Sequence, residues 1–232
     1  MKIHDVQQRS PEWFALRSGK PTSSEFGKIT TSKGKPSASL KGYAMQLAAE
    51  LYAGEKLNQW GGNLDLDRGN FLEQEAIRFY AFERDIEPVK VGFITDDKER
   101  WGCSPDFLIG RDGMGQVKCL NAEKHVEAIM RFRKSGDVDP AYVPQTQGEM
   151  MIAEREWNDL IFYHAKLPML VVRQYPNLDV LAALQEGLPL LLKERDEVLA
   201  ALIYLRDGSG FPDDEAEPAG SMADWRQGNA AR

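Results

Sequence analysis

Ser104-Pro105-Asp106-Phe107-Leu108-Ile109-Gly110-Arg111-Asp112-Gly113-Met114-Gly115-Gln116-Val117-Lys118 is the stretch from which the fold is read. Phe107-Leu108-Ile109 is a β-favouring run, Arg111-Asp112-Gly113 is a turn signal, and Gln116-Val117-Lys118 resumes an extended segment. The spacing predicts a hairpin. Side chains alternate faces along a strand, so Gln116 and Lys118 share one face and Val117 takes the other. Closing the hairpin about Asp112-Gly113 brings Asp106 near the end of the second strand. A carboxylate, an amide and an ammonium then share one polar patch on the rim of a sheet.

Asp106 and Lys118 in one patch suit phosphodiester hydrolysis. Mg²⁺ takes hard oxygen ligands and keeps several waters, so one or two carboxylates and a substrate phosphate suffice. A lysine beside it orients water or offsets developing charge. The plain alternative is a turn-capping Asp106 after Pro105 and a solvated Lys118. Glu73 weighs against that alternative. It lies on a helix predicted over Leu66 to Glu83, with Gly69 one turn earlier on the same face. A glycine inside a helix costs about 1 kcal/mol against alanine, which is understandable if a metal site or a DNA backbone must approach there.

Arg17, Ser24 and Ser104 are candidates for an anion pocket, since a guanidinium forks onto phosphate oxygens and hydroxyls add donors. Lys33 and Lys35, in the polar loop Thr30 to Ser37, are candidates for lining a DNA channel. Gln145 and Gln147 sit two apart on a predicted helix and diverge by about 200°, so at most one faces the site. His4, His125 and His164 are scattered and set no metal-ligand spacing.

The remaining segments give the class. Ser10-Pro11-Glu12-Trp13 is a helix start, with Ser as cap and Pro at the first helical position. Helices are expected at Leu40 to Tyr52, Ala122 to Lys134 and Tyr142 to Glu154. A further one runs from Leu178 to Tyr204, interrupted at Gly187 and Pro189. Strands are expected at Val89 to Ile94, Leu160 to Tyr163 and Leu170 to Val172. This order implies an α/β core, a central mixed sheet flanked by helices. Residues 1–206 read as a single domain and residues 207–232, rich in Gly, Pro, Asp, Glu and Ala, as a flexible tail.

The chain has 232 residues and a formal net charge of −7. Global acidity argues against a basic surface but leaves room for an enclosed basic groove around phosphate. Two cysteines, Cys103 and Cys119, form neither a disulfide framework nor a zinc quartet. No apolar run approaches the roughly 18–20 residues that span a bilayer. The N-terminus lacks a signal-peptide core, so a cytoplasmic place in a bacterial host cell is the expectation.

The ordered set Trp13-Phe14-Ala15-Leu16-Arg17-Ser18-Gly19, Thr22-Ser23-Ser24-Glu25, Gly69…Glu73, Cys103-Ser104-Pro105-Asp106, Val117-Lys118-Cys119 and Tyr142…Gln145-Thr146-Gln147 resembles the phage lambda exonuclease family. These are the YqaJ-type viral recombinases of the PD-(D/E)XK nuclease superfamily. The resemblance runs from about Gln8 to Tyr163. It implies a restriction-endonuclease-like core and a processive 5′→3′ exonuclease on double-stranded DNA, leaving a 3′ overhang. It also implies Mg²⁺ (or Mn²⁺), a ring-shaped homotrimer and a single-strand annealing protein as partner in recombination. Carried onto matching positions, Glu73, Asp106 and the Val117 carbonyl are metal ligands, Lys118 is the catalytic lysine, and Arg17, Ser24 and Ser104 hold the 5′-phosphate. Gln116 stands where that family has an acid. Its amide oxygen can ligate a cation but brings no charge, so the resemblance makes this form weakened, or altered to bind DNA without cutting it. An endonuclease of the same superfamily and a non-catalytic DNA-end-binding module are the alternatives.

Overall fold

The computed structural model describes residues 1–57 and 63–207, with the backbone alone described over 63–70. In chain order the elements are β1 (Lys2–His4), α1 (Pro11–Arg17), a 3₁₀ turn (Ser23–Lys28), α2 (Leu40–Ala53), α3 (Asn63–Arg84), β2 (Phe93–Thr95) and β3 (Gly102–Cys103). Then come β4 (Phe107–Ile109), β5 (Gly113–Cys119), α4 (Ala122–Ser135), a second 3₁₀ turn (Pro140–Tyr142), α5 (Val143–Ala153), β6 (Trp157–Tyr163), β7 (Leu170–Gln174) and α6 (Leu178–Arg206). All but Asp207 of the expected tail lies outside the described residues, as does the Gly69 side-chain environment.

A mixed sheet in the order β4-β5-β6-β7 forms the centre. β5 and β6 run parallel, while β4 and β7 add antiparallel edges. Parallel neighbours need a long crossover, and here α4, the second 3₁₀ turn and α5 make it. Alternation along β6 divides the core. Ile161 and Tyr163 join Ala76, Ile77 and Tyr80 of α3, whereas Leu160 and Phe162 pack with Ala128 and Phe132 of α4. The register Gln116↔Leu160 and Lys118↔Phe162 puts those two site residues on the α4 face. A smaller antiparallel sheet, β1-β2-β3, was not expected. Its strands are two or three residues long and carry no run that a sequence pattern detects. The strand expected from Val89 shrinks to β2, with Val89 itself in a lone bridge to Leu108.

α6 is continuous through Gly187 and Pro189, against the expected interruption. The reason is burial: Val180, Leu184, Leu188 and Leu191 recur at helical spacing and are fully buried, packed in one cluster with Tyr43, Ala44 and Leu47 of α2. Burial of four such side chains, at about 1.5–3 kcal/mol each, outweighs the roughly 3 kcal/mol of an internal proline. Gly187 admits the close approach, since a Cβ there would come 2.5 Å from Ile29 Cγ2.

A buried hydrogen bond, braced from β7, helps fix α3 on the sheet. The Tyr80 hydroxyl donates to Asp159 of β6, and Arg173 of β7 donates to both oxygens of the same carboxylate at 2.8 and 2.9 Å. Tyr80 is seven residues, about two turns, beyond Glu73, so this buried anchor sets where Glu73 stands.

Candidate functional site

The hairpin forms as expected, but its register brings Asp106 beside the middle of β5. The Asp106 N–H donates to the Gly115 carbonyl at 3.2 Å. Asp106 Oδ2 then accepts from the Val117 N–H at 2.6 Å and from Gln116 Nε2 at 2.8 Å. Glu73 and Asp106 line one cleft of about 460 Å³, together with Gln8, Arg9, Gln74, Lys90 and Gly92. Burial pushes the Asp106 carboxyl up to about 8, and the neighbouring Glu73 charge pushes the same way. The Val117 N–H and Lys118 pull against them.

That shift has a sign for stability. The carboxyl sits near 3.8 when exposed and near 8 in the fold, so its contribution is fully present below about pH 4 and lost as pH rises through 8. Cation-free protein is therefore expected to melt lower at pH 8 than at pH 5, and Asp106→Asn to flatten that difference. Melting curves across the range check it, and an unchanged slope in Asp106→Asn would show that Asp106 is not the group responsible.

Gln116 is buried, and its Oε1 has no hydrogen-bond partner. Leaving a buried acceptor unpaired costs about 1–3 kcal/mol, so a donor or cation that reached this oxygen would recover that cost. Two carboxylates, one amide oxygen and main-chain carbonyls are a hard-oxygen set of the kind Mg²⁺ takes. Among the described residues no three His, Cys, Asp or Glu side chains cluster as a metal set. The fit rests instead on this mixed group.

Lys118 Nζ donates to Gln145 Oε1 at 2.9 Å and stands 5.4 Å from the Tyr142 ring centre. Gln145 is thus the glutamine of the pair that faces the site. Gln147 turns to the start of α6, donating to the Tyr175 carbonyl at 2.9 Å and accepting from the Asn177 N–H at 2.7 Å.

Arg17 lies at the end of α1, and its guanidinium is buried. Nη1 donates to Ser104 Oγ at 3.3 Å, while Nη2 reaches Thr22 Oγ1 at 3.3 Å and Ser24 Oγ at 3.4 Å. The plane stacks on the Trp13 ring at 4.1 Å, and Nε is without a partner. Among the described residues no carboxylate forms an ion pair with it. Burial lowers its pKa to about 10. Glu25 and Glu50 act on it without forming an ion pair, so a buried cation ringed by hydroxyls is left able to receive an anion. Ser104 is two residues from Asp106, so the Cα atoms are within about 7 Å. The pocket and the carboxylates adjoin.

Lys33 and Lys35 are not brought to the cleft. Their loop folds on the Thr31 hydroxyl, and Lys33 lines a groove with Asp179 and Glu186 of α6. Sequence reasoning passed over Arg9, which stands at φ 70°. Its Nη2 approaches Glu73 Oε2 at 3.3 Å, a positive charge across the mouth of the cleft. No local pattern marks it, because its partner is far along the chain.

The model of the YqaJ-like viral recombinase domain matches residues 12–156. Among solved structures, an alkaline exonuclease from Laribacter hongkongensis, LHK-Exo, superposes with a TM-score of 0.71 at 28% identity, covering 86% of this chain and 98% of that one. Its complex with dAMP gives a TM-score of 0.70 at the same identity and coverage. A phage related exonuclease from Haemophilus somnus 129PT shares the fold, with a TM-score of 0.62 at 19% identity over 79% of this chain and 96% of that one. No curated protein matches the chain. The matched segment runs from α1 to the threshold of β6 and so contains Arg17, Ser24, Glu73, Ser104, Asp106, Gln116, Lys118 and Gln145. On that match the chain belongs to the YqaJ-like viral recombinase domain family.

Proposed function

We propose that the protein is a Mg²⁺-dependent exonuclease that removes nucleotides from 5′-phosphorylated ends of double-stranded DNA, leaving a 3′ overhang for recombination by single-strand annealing. The observation that carries this reading is the buried Arg17, held by hydroxyls and in no ion pair among the described residues, beside the Asp106 and Gln116 pair. An anion held by Arg17, Ser24 and Ser104 places the next phosphodiester at the carboxylates. A pocket for a terminal phosphate also gives the enzyme its polarity. Family membership supports a nucleic-acid end as substrate, as does the exonuclease identity of LHK-Exo and its complex with dAMP.

Glu73, Asp106, Gln116 and the Val117 carbonyl would hold the cation, which when bound supplies an activated water and neutralises phosphate charge. The chain's own residues do the rest. Arg17 and the two serines anchor the terminal phosphate, and Trp13 holds the guanidinium flat by stacking. Lys118, fixed by Gln145, presents its ammonium where charge builds on the scissile phosphate. We also propose the ring-shaped homotrimer, the annealing partner and the cytoplasmic setting that go with this activity. Among the described residues no helix is long and apolar enough to cross a membrane.

Digestion of linear and closed-circular duplex, with 5′-phosphate or 5′-hydroxyl ends and with or without Mg²⁺, tests the proposal. Linear 5′-phosphorylated duplex should be degraded and circles left intact. Arg17→Ala should erase most of the preference for a 5′-phosphate, about tenfold or more, since a charge-assisted contact is worth about 1.5–3 kcal/mol. Nicked or linearised circles would replace the reading with an endonuclease. End binding without Mg²⁺-dependent release, even after Gln116→Glu, would leave a binding module.

A further inference from the structure

We infer that Glu149 is a positioning residue, which sets the direction of the Gln145 amide and through it the place of Lys118. For its rate readout the inference rests on the nuclease reading above. Glu149 is fully buried in α5. Its Oε1 accepts from Gln145 Nε2 at 2.8 Å and from Ser23 Oγ at 3.5 Å, and its Oε2 accepts from Asn158 Nδ2 at 2.9 Å. Gln145 in turn accepts from Lys118 at 2.9 Å. Every donor in this chain points towards one carboxylate.

The direction matters because an amide is nearly symmetric in shape. An ammonium only donates, so Lys118 tolerates the oxygen of Gln145 and not its NH₂. Nothing in the outline of the Gln145 side chain selects between the two. Glu149 does, since an ionised carboxylate only accepts and so draws the NH₂ to itself. Burial pushes the Glu149 carboxyl up, and the Lys118 charge and the donors Gln145, Asn158 and Ser23 pull it back towards the ionised form. Gln145 and Glu149 are one helical turn apart, so the backbone of α5 fixes their spacing. α5 itself is seated closely, as a Cβ on Gly148 would fall 2.2 Å from the Phe26 ring. Phe26 belongs to the 3₁₀ turn that carries Ser24. One buried carboxylate thereby ties the helix behind Lys118 to the turn beside Arg17.

Two variants and two readouts test this. Glu149→Met, which keeps the length and removes the acceptor, should lower kcat by about 30-fold with KM for linear duplex within about twofold, in the range set by lost positioning contacts. Lys118 should also become several-fold more reactive to acetylation, read by mass spectrometry on the folded protein. Gln145→Glu alone should be similarly slow, because it sets two carboxylates against each other. Adding Glu149→Gln to it should restore the rate to within about fivefold, the signature of a coupled pair. In that swap the new carboxylate accepts from Lys118 and from the new amide, whose oxygen accepts from Asn158. A merely structural Glu149 would give no such recovery. If Glu149→Met fails to fold, the swap decides. A folded Glu149→Met with unchanged rate and labelling, or a swap as slow as Gln145→Glu, overturns the inference. No nucleotide release from the unaltered chain or from Gln116→Glu overturns the nuclease reading instead, and Lys118 labelling then decides this one alone.

Discussion

Gln116→Glu is expected to raise Mg²⁺-dependent nucleotide release by about 100-fold and to lower the melting temperature of the cation-free protein. Both effects come from one change of charge. At present the Gln116 amide donates to Asp106 Oδ2 at 2.8 Å, which stabilises a buried carboxyl that Glu73 already crowds. The variant loses this donor and sets a second carboxylate against Asp106. Without a cation the pair must share a proton or repel, so the fold weakens. With a cation the added charge is attractive. Two unit charges about 4 Å apart at an effective dielectric near 20 interact by about 4 kcal/mol. Desolvation takes back a share, and each 1.4 kcal/mol that survives is about tenfold in rate. Initial rates on 5′-phosphorylated linear duplex, and melting curves in EDTA and in Mg²⁺, read the two effects. The Mg²⁺-induced gain in melting temperature should be larger in the variant. Equal rates would show that the neutral oxygen already does all that a carboxylate would do at this position.

The hairpin and its three polar residues were legible because they are local. Strand alternation and a two-residue spacing place Gln116 and Lys118 on one face whatever the remainder of the chain does. Arg17 and Ser104 are 87 positions apart and meet through the small β1-β2-β3 sheet and the lone bridge from Thr22 to Gly102. No sequence period announces two-residue strands. Residue type suggested an anion pocket and the family resemblance gave it a 5′-phosphate; the geometry adds a guanidinium with hydroxyl neighbours and, among the described residues, no ion pair. The basic loop is seated in a way that its composition does not announce. Lys33 and Lys35 have the composition of a phosphate-binding stretch, but Gly34 stands at φ 67° against the Asp179 backbone, where a Cβ would fall 2.6 Å from the Asp179 carbonyl oxygen. The loop packs on α6 at Gly34 and leaves both lysines exposed. Gln147 likewise has the residue type of a site member and spends both amide groups on the α6 start. Glu149 was visible only as one more polar residue on a helix, since its role depends on Asn158 and Ser23 arriving from other elements.

Lys118→Met should cost about 10³-fold in kcat, the upper end of what removal of one donor at a developing charge takes away, while leaving 5′-phosphorylated end binding within about twofold. The separation of the two effects is geometric. Lys118 contacts Gln145 and the Tyr142 ring on the α4 face of the sheet, whereas the Arg17 pocket is assembled from α1, the 3₁₀ turn and Ser104. Methionine fills most of the lysine's aliphatic volume, but it removes a charge-assisted hydrogen bond, about 1.5–3 kcal/mol, and the charge that eases the burial of Glu149 and Asp106, so the fold should also weaken measurably. Lys118→Arg should not restore the rate, because a planar fork beside Tyr142 cannot put a compact charge at the same point. Single-turnover digestion, with end binding measured in EDTA, keeps chemistry and binding apart. If both fall together, Lys118 is holding the DNA; if neither falls, the charge that serves the scissile phosphate comes from elsewhere, and Arg9 at the mouth of the cleft, 3.3 Å from Glu73, is the cation placed to supply it.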